Sequence, residues 1–238
     1  MISVCMATYN GEKFIKEQLK SILQQLGDKD EVIVSDDGSS DKTLEIIKSF
    51  NDDRVIIFKN AFKNLVLNFE FALMQAKGDY IFLSDQDDVW LPNKIKVCTE
   101  NLRSFSLVVS NCKVVDQDLQ IINNSFFELN NSKKGLLSNV FKNSYLGCCL
   151  AFRNEVLQTA LPFPKSIPMH DIWLGFVAEL YFKSKFIEEP LLLYRRHGKN
   201  ESPTAENSPY SLFQKFKFRF DIIKNLPILL KRRTQSHH

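Results

Sequence analysis

Within the first ninety residues, four short apolar runs alternate with amphipathic stripes of helical period. That alternation constrains the fold more than any other feature of the chain. The runs lie at residues 2–7, 31–35, 55–58 and 80–83. Between the first two, Ile15, Leu19, Ile22, Leu23 and Leu26 recur at the spacing of one helix face, and Gly27 stands where such a helix would end. Leu44, Ile47 and Phe50 follow a Ser39-Ser40-Asp41 start signal. Leu65, Phe69, Ala72, Leu73 and Ala76 make a third stripe before Gly78. Strands that are almost continuously apolar are buried on both faces, so the pattern predicts an α/β fold with a mostly parallel sheet covered by helices.

After Pro92 the periodicity is less regular. The spacing predicts a helix over 92–104, a strand over 107–110, a polar stretch near 123–134 and a buried strand over 146–152. A helix over 171–183 and extended chain over 186–194, interrupted at Pro190, complete the series. No internal repeat or low-complexity linker separates the halves. The 238 residues therefore read as one domain at 1–207, with a regular half at 1–95 and an irregular half at 96–207, followed by a helical basic tail at 208–238.

Composition excludes several classes. At 44% hydrophobic residues, with 8 glycines and 8 prolines, the chain is neither disordered nor fibrous. A net charge of +3 is too small to suggest nucleic acid as a partner. The charge is unevenly placed, however. Lys215, Lys217, Arg219, Lys224, Lys231, Arg232 and Arg233 face a single acid, Asp221, after residue 210, which leaves the body slightly acidic. Five cysteines without zinc spacing, two of them neighbours at Cys148 and Cys149, are expected as reduced thiols in a cytoplasmic setting. Met1-Ile2-Ser3-Val4 runs straight into a strand without a basic leader, and no apolar run approaches the ~18 residues that span a bilayer.

Three polar blocks fall where strands end, the position at which open α/β sheets bind ligands. Ala7-Thr8-Tyr9-Asn10-Gly11 suits stacking and hydrogen bonding to a planar base, and equally a plain strand-to-helix turn with Asn10 as cap. In Ser35-Asp36-Asp37-Gly38-Ser39-Ser40-Asp41 the adjacent acids point apart. One can accept from a ribose hydroxyl or a base N–H while the other braces the turn, and capping accounts for Ser40 or Asp41. Ser84-Asp85-Gln86-Asp87-Asp88-Val89-Trp90 puts three carboxylates in four residues. They repel one another unless a cation sits among them, and an all-oxygen set favours Mg2+ or Mn2+. A solvated acidic turn is the simpler reading; the buried strand before it and bulky Trp90 after it favour the metal.

Taken in order, Met6-Ala7-Thr8-Tyr9-Asn10-Gly11, Val34-Ser35-Asp36-Asp37-Gly38-Ser39-Ser40-Asp41 and Asp85-Gln86-Asp87 resemble the motifs of glycosyltransferase family 2, nucleotide-sugar enzymes of the GT-A fold. Leu83-Ser84-Asp85-Gln86-Asp87-Asp88-Val89-Trp90-Leu91-Pro92-Asn93-Lys94 is similar to the bacterial branch holding rhamnosyl- and hexosyltransferases of surface polysaccharides. The resemblance is strong over 1–95 and looser to about residue 200. It implies a GT-A-type, Rossmann-like sheet with a nucleotide-sugar-binding half and an acceptor-binding half. Ala7 and Tyr9 would then lie against the base, Asp37 at its imide edge and Asp36 beneath the loop, with Thr8, Asn10 and Gln86 also on the donor side. Asp87 would hold the metal most directly, and Asp85 would face the ribose or the metal.

An inverting transferase also needs a general base for the acceptor hydroxyl. Met169-His170-Asp171-Ile172-Trp173, after Pro162, Pro164 and Pro168, looks like the Glu-Asp or His-Asp site where the family places that base. The resemblance assigns the role to Asp171, and helix capping is a compatible second duty. In Leu193-Tyr194-Arg195-Arg196-His197-Gly198-Lys199-Asn200, Arg195, Arg196 and Lys199 suit a diphosphate. His197 resembles a histidine that completes the metal shell in some relatives, and Gly198 would make the loop a pliable lid or a plain surface turn. Cys148 reads as a small packing residue.

In the tail, Phe213, Phe216, Phe218, Phe220, Ile222 and Ile223 interleave with cations after Ser208-Pro209. A helix broken at Pro227 is expected, suited to packing on the body or to docking 211–233 on an anionic membrane surface, at ~1 kcal/mol per basic residue. With these features, the resemblance implies a metal-dependent, inverting hexosyltransferase using Mn2+ or Mg2+. It would pass a sugar from a UDP- or dTDP-sugar to a hydroxyl of a saccharide acceptor, lipid-linked, in O-antigen, capsule or exopolysaccharide synthesis. Its expected location is cytoplasmic, peripheral on the inner membrane. Two alternatives remain: a sugar-nucleotide nucleotidyltransferase, although residues 7–13 lack its Gly-rich, basic phosphate loop, and a catalytically silent nucleotide-binding or membrane-docking module.

Overall fold

The computed structural model describes residues 1–198 and 212–235. The first half alternates as β1 (Ile2–Thr8), α1 (Ile15–Leu23), β2 (Glu31–Asp36), α2 (Thr43–Ser49), β3 (Val55–Lys59), α3 (Leu65–Gln75) and β4 (Tyr80–Ser84). There follow β5 (Val89–Trp90), α4 (Lys94–Leu102), β6 (Leu107–Val115), β7 (Ile121–Asn123), α5 (Phe126–Asn130) and α6 (Leu136–Phe141). A short 3-10 turn (Gly147–Cys149) leads to β8 (Leu150–Arg153), α7 (Asn154–Ala160), α8 (His170–Tyr181), β9 (Ser184–Arg195) and α9 (Leu212–Gln235).

Local sequence explains the first half. All six residues of β2 are buried, as expected of a strand covered on both faces. On α1, Ile15, Leu19, Ile22 and Leu23 turn inward while Lys16, Glu17 and Lys20 stay exposed. Asn64 caps α3, its side chain accepting from the Leu67 N–H at 3.0 Å. The strands pair in the order β3-β2-β1-β4, all parallel, which leaves the carboxyl ends of β1, β2 and β4 side by side.

The second half continues the same sheet. Among the described residues the order runs on as β8-β6-β9-β5, with β7 added to β6. β8 is antiparallel to both β4 and β6, whereas β6 and β9 are parallel. The regular half is thus parallel and the irregular half mixed. Pro190 lies inside β9 rather than interrupting it, because the β6–β9 register shifts between Ser110 and Asn111, where the ladder loses its regular bonds.

Three further expectations change. The strand expected over 146–152 begins only at Leu150; its first part is the 3-10 turn. The polar stretch near 123–134 holds the short helix α5, capped by Ser125 through the Glu128 N–H at 3.2 Å. The tail helix does not break at Pro227 but runs through it. A proline inside a helix costs about 3 kcal/mol, and contacts on either side of it offset that cost. Asn225 Nδ2 donates to Ser166 Oγ at 3.0 Å before it, and Arg232 donates to the carbonyls of Thr159, Ala160 and Pro162 after it. All five cysteines are buried free thiols. No helix among the described residues is long and apolar enough to cross a membrane. Ser208-Pro209 and the closing His237-His238 lie outside the described residues.

Candidate active site

The ends of β1, β2 and β4 open into one cleft of about 1020 Å³, ample for a small organic ligand. Its first wall is built by hydrogen bonds that zip the β1 and β2 loops together. Asp36 is buried and takes Thr8 Oγ1 at 2.8 Å, the Ser39 N–H at 2.9 Å and Ser39 Oγ at 2.6 Å. Asp37 lines the cleft, and its two oxygens accept the Lys63 and Asn64 N–H groups, both at 2.9 Å. The carboxylate therefore also fixes the turn before α3. Tyr9 stands on the rim, 57% exposed, with Ala7 and Thr8 behind it.

Two residues of this wall do other work than the sequence suggested. Asn10 is not the cap of α1, which starts without a side-chain cap at Phe14. It sits at φ 49°, and its Oδ1 accepts from the Ser40 N–H at 2.8 Å, so it locks the β1 loop to the β2 loop. Gln86 spends both ends of its amide on Tyr9: Oε1 accepts from Tyr9 N and Nε2 donates to Tyr9 O, each at 2.9 Å. A Cβ at Gly11 would collide with that amide, so the bracket requires glycine there. Gln86 thus braces the loop while lining the cleft.

The acid loop forms the second wall. Gln18 on α1 is buried and donates to Ser84 Oγ at 2.8 Å and the Asp85 carbonyl at 3.1 Å, which anchors the loop at its start. Asp85 and Asp87 line the cleft. Burial, then repulsion from Asp87 and Asp171, pushes the Asp85 carboxyl up to about 8. Asp88 turns inward: Oδ1 accepts the Arg195 N–H at 3.0 Å, Oδ2 has no partner, and burial followed by its neighbours' charge raises its carboxyl well above the usual range. His197 returns from the end of β9 to place Nε2 2.8 Å from Asp87 Oδ2, its ring stacked on Phe14 at 4.8 Å.

This donor set fits a hard divalent cation. Crowded carboxylates with raised proton affinity and one orphaned oxygen are the state that a cation relieves. The most convergent trio among the described residues is Asp85, Asp88 and Cys148, whose ligand atoms lie within 4.8 Å of one another. Burial holds the Cys148 thiol protonated, so the oxygens of the trio are the better ligands. Asp88 was not singled out by the sequence, which marked the acid run but not which acid turns inward.

Arg195 departs from the diphosphate-binding role expected of it. Its guanidinium is buried over the Phe14 ring, 4.7 Å away. It donates to the carbonyls of Asp87 at 2.7 Å and Gln117 at 2.8 Å and to the Glu17 carboxylate. With these groups holding it beneath the acid loop, it is a brace for that loop. Lys199 lies outside the described residues.

A further wall comes from the second half: Leu146, Gly147, Met169, His170 and Asp171. Asp171 opens α8 one residue inside the helix. Its Oδ1 accepts from the Ile172 N–H at 2.6 Å, and burial pushes its carboxyl up to about 7. The cleft thus brings Ala7, Thr8, Tyr9, Asn10, Asp37, Asp85, Gln86, Asp87, Asp171 and His197 to one space. His170, beside Asp171 with no hydrogen-bond partner, was missed as a site residue.

Comparison with known proteins shows the family and the fold. The family model described as Glycosyl transferase family 2 matches residues 3–161. The chain is similar to the dTDP-rhamnosyl transferase RfbG of Shigella flexneri, 30% identical over 82% of this chain and 73% of the relative. It is also similar to the UDP-Glc:alpha-D-GlcNAc-diphosphoundecaprenol beta-1,3-glucosyltransferase WfgD of Escherichia coli, 28% identical over 69% of this chain and 64% of the relative. The chain thus spans about two thirds to three quarters of the length of these relatives. Among solved structures, S. aureus TarS in complex with UDP-GlcNAc superposes with a TM-score of 0.70 at 20% identity, over 93% of this chain and 66% of that one. The mannosyltransferase PcManGT of Pyrobaculum calidifontis, with GDP-Man and Mn2+, gives 0.61 at 16% identity, over 99% and 74%.

Proposed function

The chain belongs to glycosyl transferase family 2, and from that premise we propose that it transfers a sugar, with inversion, from a UDP- or dTDP-sugar to a hydroxyl of a lipid-linked saccharide. One observation carries the reading: the crowded acids at the end of β4 and the buried Asp171 of α8 line a single cleft. The two relatives compared are a dTDP-rhamnosyl and a UDP-glucosyl transferase, which supports a pyrimidine donor. WfgD acts on a diphosphoundecaprenol-linked sugar, which supports a lipid-linked acceptor.

The residues divide the work. Ala7 and Tyr9 offer a surface for the base, Asp37 its hydrogen-bond acceptor, and Asp36, Asn10 and Gln86 hold those loops in register. Asp85 and Asp87, with His197 beside them, would hold Mn2+ or Mg2+, which when bound neutralises charge on the departing diphosphate. Asp171 takes the proton of the acceptor hydroxyl. That oxygen attacks the anomeric carbon from the face opposite the diphosphate, and the bond from that carbon to the phosphate oxygen breaks. A carboxyl raised to about 7 is matched to this task near neutral pH.

The unit at 1–207 would be the catalytic domain and α9 its membrane contact. Phe216, Phe220 and Ile223 are exposed at 64%, 64% and 52%, with exposed Lys217 and Lys224 among them. Arg219 and Arg232 instead hold α9 to the body, which reconciles packing with docking.

A thermal-shift panel of UDP, dTDP and GDP, each with and without Mn2+, tests the reading. A pyrimidine diphosphate with Mn2+ at 100 times its Kd should stabilise the protein by about 2.7 kcal/mol, and GDP should do less. No shift with any nucleoside diphosphate would remove it.

A further inference from the structure

His170 is buried at 2% exposure, yet neither Nδ1 nor Nε2 has a hydrogen-bond partner. Asn68, next to the Phe69 on which this ring stacks, accepts from Ser35 Oγ at 2.5 Å, and Tyr145, against Gly175 of the same helix, donates to Glu179 at 2.8 Å. An imidazole left unpaired in a protein interior is costly and calls for a reason. This one is also held rigidly, its ring stacked on Phe69 with centroids 4.0 Å apart and planes 25° apart.

The ring lines the cleft next to Asp171, and Gly147 packs against its Nε2. A Cβ at Gly147 would sit 3.1 Å from His170 Nε2 and 3.7 Å from the Asp171 Cβ. Gly147 does not have positive φ, so its backbone does not demand glycine, but a Cβ there would crowd the imidazole by a few tenths of an ångström. Any larger residue would press on the imidazole nitrogen.

We propose that His170 is a sugar-binding residue of the cleft, hydrogen-bonding one hydroxyl of the saccharide that sits beside Asp171 and selecting for sugars that carry it. The inference rests on the glycosyl-transfer reading. Burial pushes the imidazole down to about 3, so at neutral pH the ring is uncharged, with one N–H to donate and one lone pair to accept. A hydroxyl has the matching pair of capacities. A buried group that only the correct hydroxyl can pair rejects the deoxy analogue strongly, because that analogue leaves the imidazole unpaired. The hydroxyl can belong to the donor sugar or to the acceptor.

His170→Phe keeps the ring on Phe69 and removes both nitrogens; His170→Gln restores a neutral donor and acceptor. Each is compared with wild type for melting temperature, UDP and dTDP affinity, and kcat/KM on the donor that wild type uses and on monodeoxy donor and acceptor analogues. The expected result is a His170→Phe protein that melts at or above wild type and binds the nucleotide normally. It loses at least tenfold in kcat/KM for the full substrates and no longer discriminates against one monodeoxy analogue, and His170→Gln recovers part of both. An affected donor analogue identifies the donor sugar as the ligand, and an affected acceptor analogue the acceptor. Wild-type discrimination by His170→Phe against every analogue, or an equal loss on all of them, overturns the proposal while leaving the transfer reading intact. A wild-type protein that turns over no donor removes both.

Discussion

His197 Nε2 lies 2.8 Å from Asp87 Oδ2, which closes the end of β9 onto the acid loop across 110 residues of chain. Phe14 on one side and Arg195 beneath fix both partners in place. His197→Ala should therefore weaken Mn2+ affinity by about 10- to 100-fold, as removal of a ligand's close partner does. Transfer rate titrated against Mn2+ measures it; an unchanged half-saturating concentration would separate His197 from the metal.

The raised carboxyl of Asp171 sets a pH profile. Only its ionised form accepts a proton, so kcat/KM should rise tenfold per unit below about 7 and level off above it. A rate that falls with rising pH through that range would place the essential group elsewhere.

The same shifts predict how stability responds without metal. Asp85, with its carboxyl raised to about 8, keeps its proton in the folded chain where the unfolded chain has already lost it. The unfolded state then binds fewer protons, so stability falls as pH rises toward 8. Asp171 adds to the fall up to about 7, whereas His170, lowered to about 3, makes stability rise with pH only below its usual range near 6.5. Between pH 6.5 and 8 the chelated protein should melt progressively lower, and Asp85→Asn should flatten that decline. Parallel declines in the two proteins would discount the crowding of Asp85.

Much of this was legible in the sequence, and the boundary has a physical cause. The parallel half could be read because each strand and helix declares itself locally, through apolar runs and stripes such as Ile15, Leu19 and Ile22. β8 could not be placed, since its position between β4 and β6 depends on pairings of Tyr80 with Arg153 and Leu107 with Phe152, far apart in sequence. In the site, the acids were marked by type and position. Which one turns inward was not, because Asp88 is drawn in by the Arg195 N–H 107 residues away. Arg195 looked like a phosphate ligand for the same reason: its partners Glu17, Asp87 and Gln117 converge only in the fold.

The tail gives a separate test. Lys217→Ala with Lys224→Ala should lower binding to vesicles containing anionic lipid by about 30-fold, at ~1 kcal/mol per cation. Both side chains are exposed, so the melting temperature should stay within a degree or two. Unchanged vesicle binding would leave α9 as a packing element alone.

The central claim is that Asp171 removes the acceptor proton. Asp171→Asn keeps the shape of the side chain and removes the base. With saturating donor, Mn2+ and acceptor, single-turnover transfer should slow by about 100- to 10,000-fold while nucleotide affinity stays within about twofold of wild type. A transfer rate near that of wild type would contradict the account.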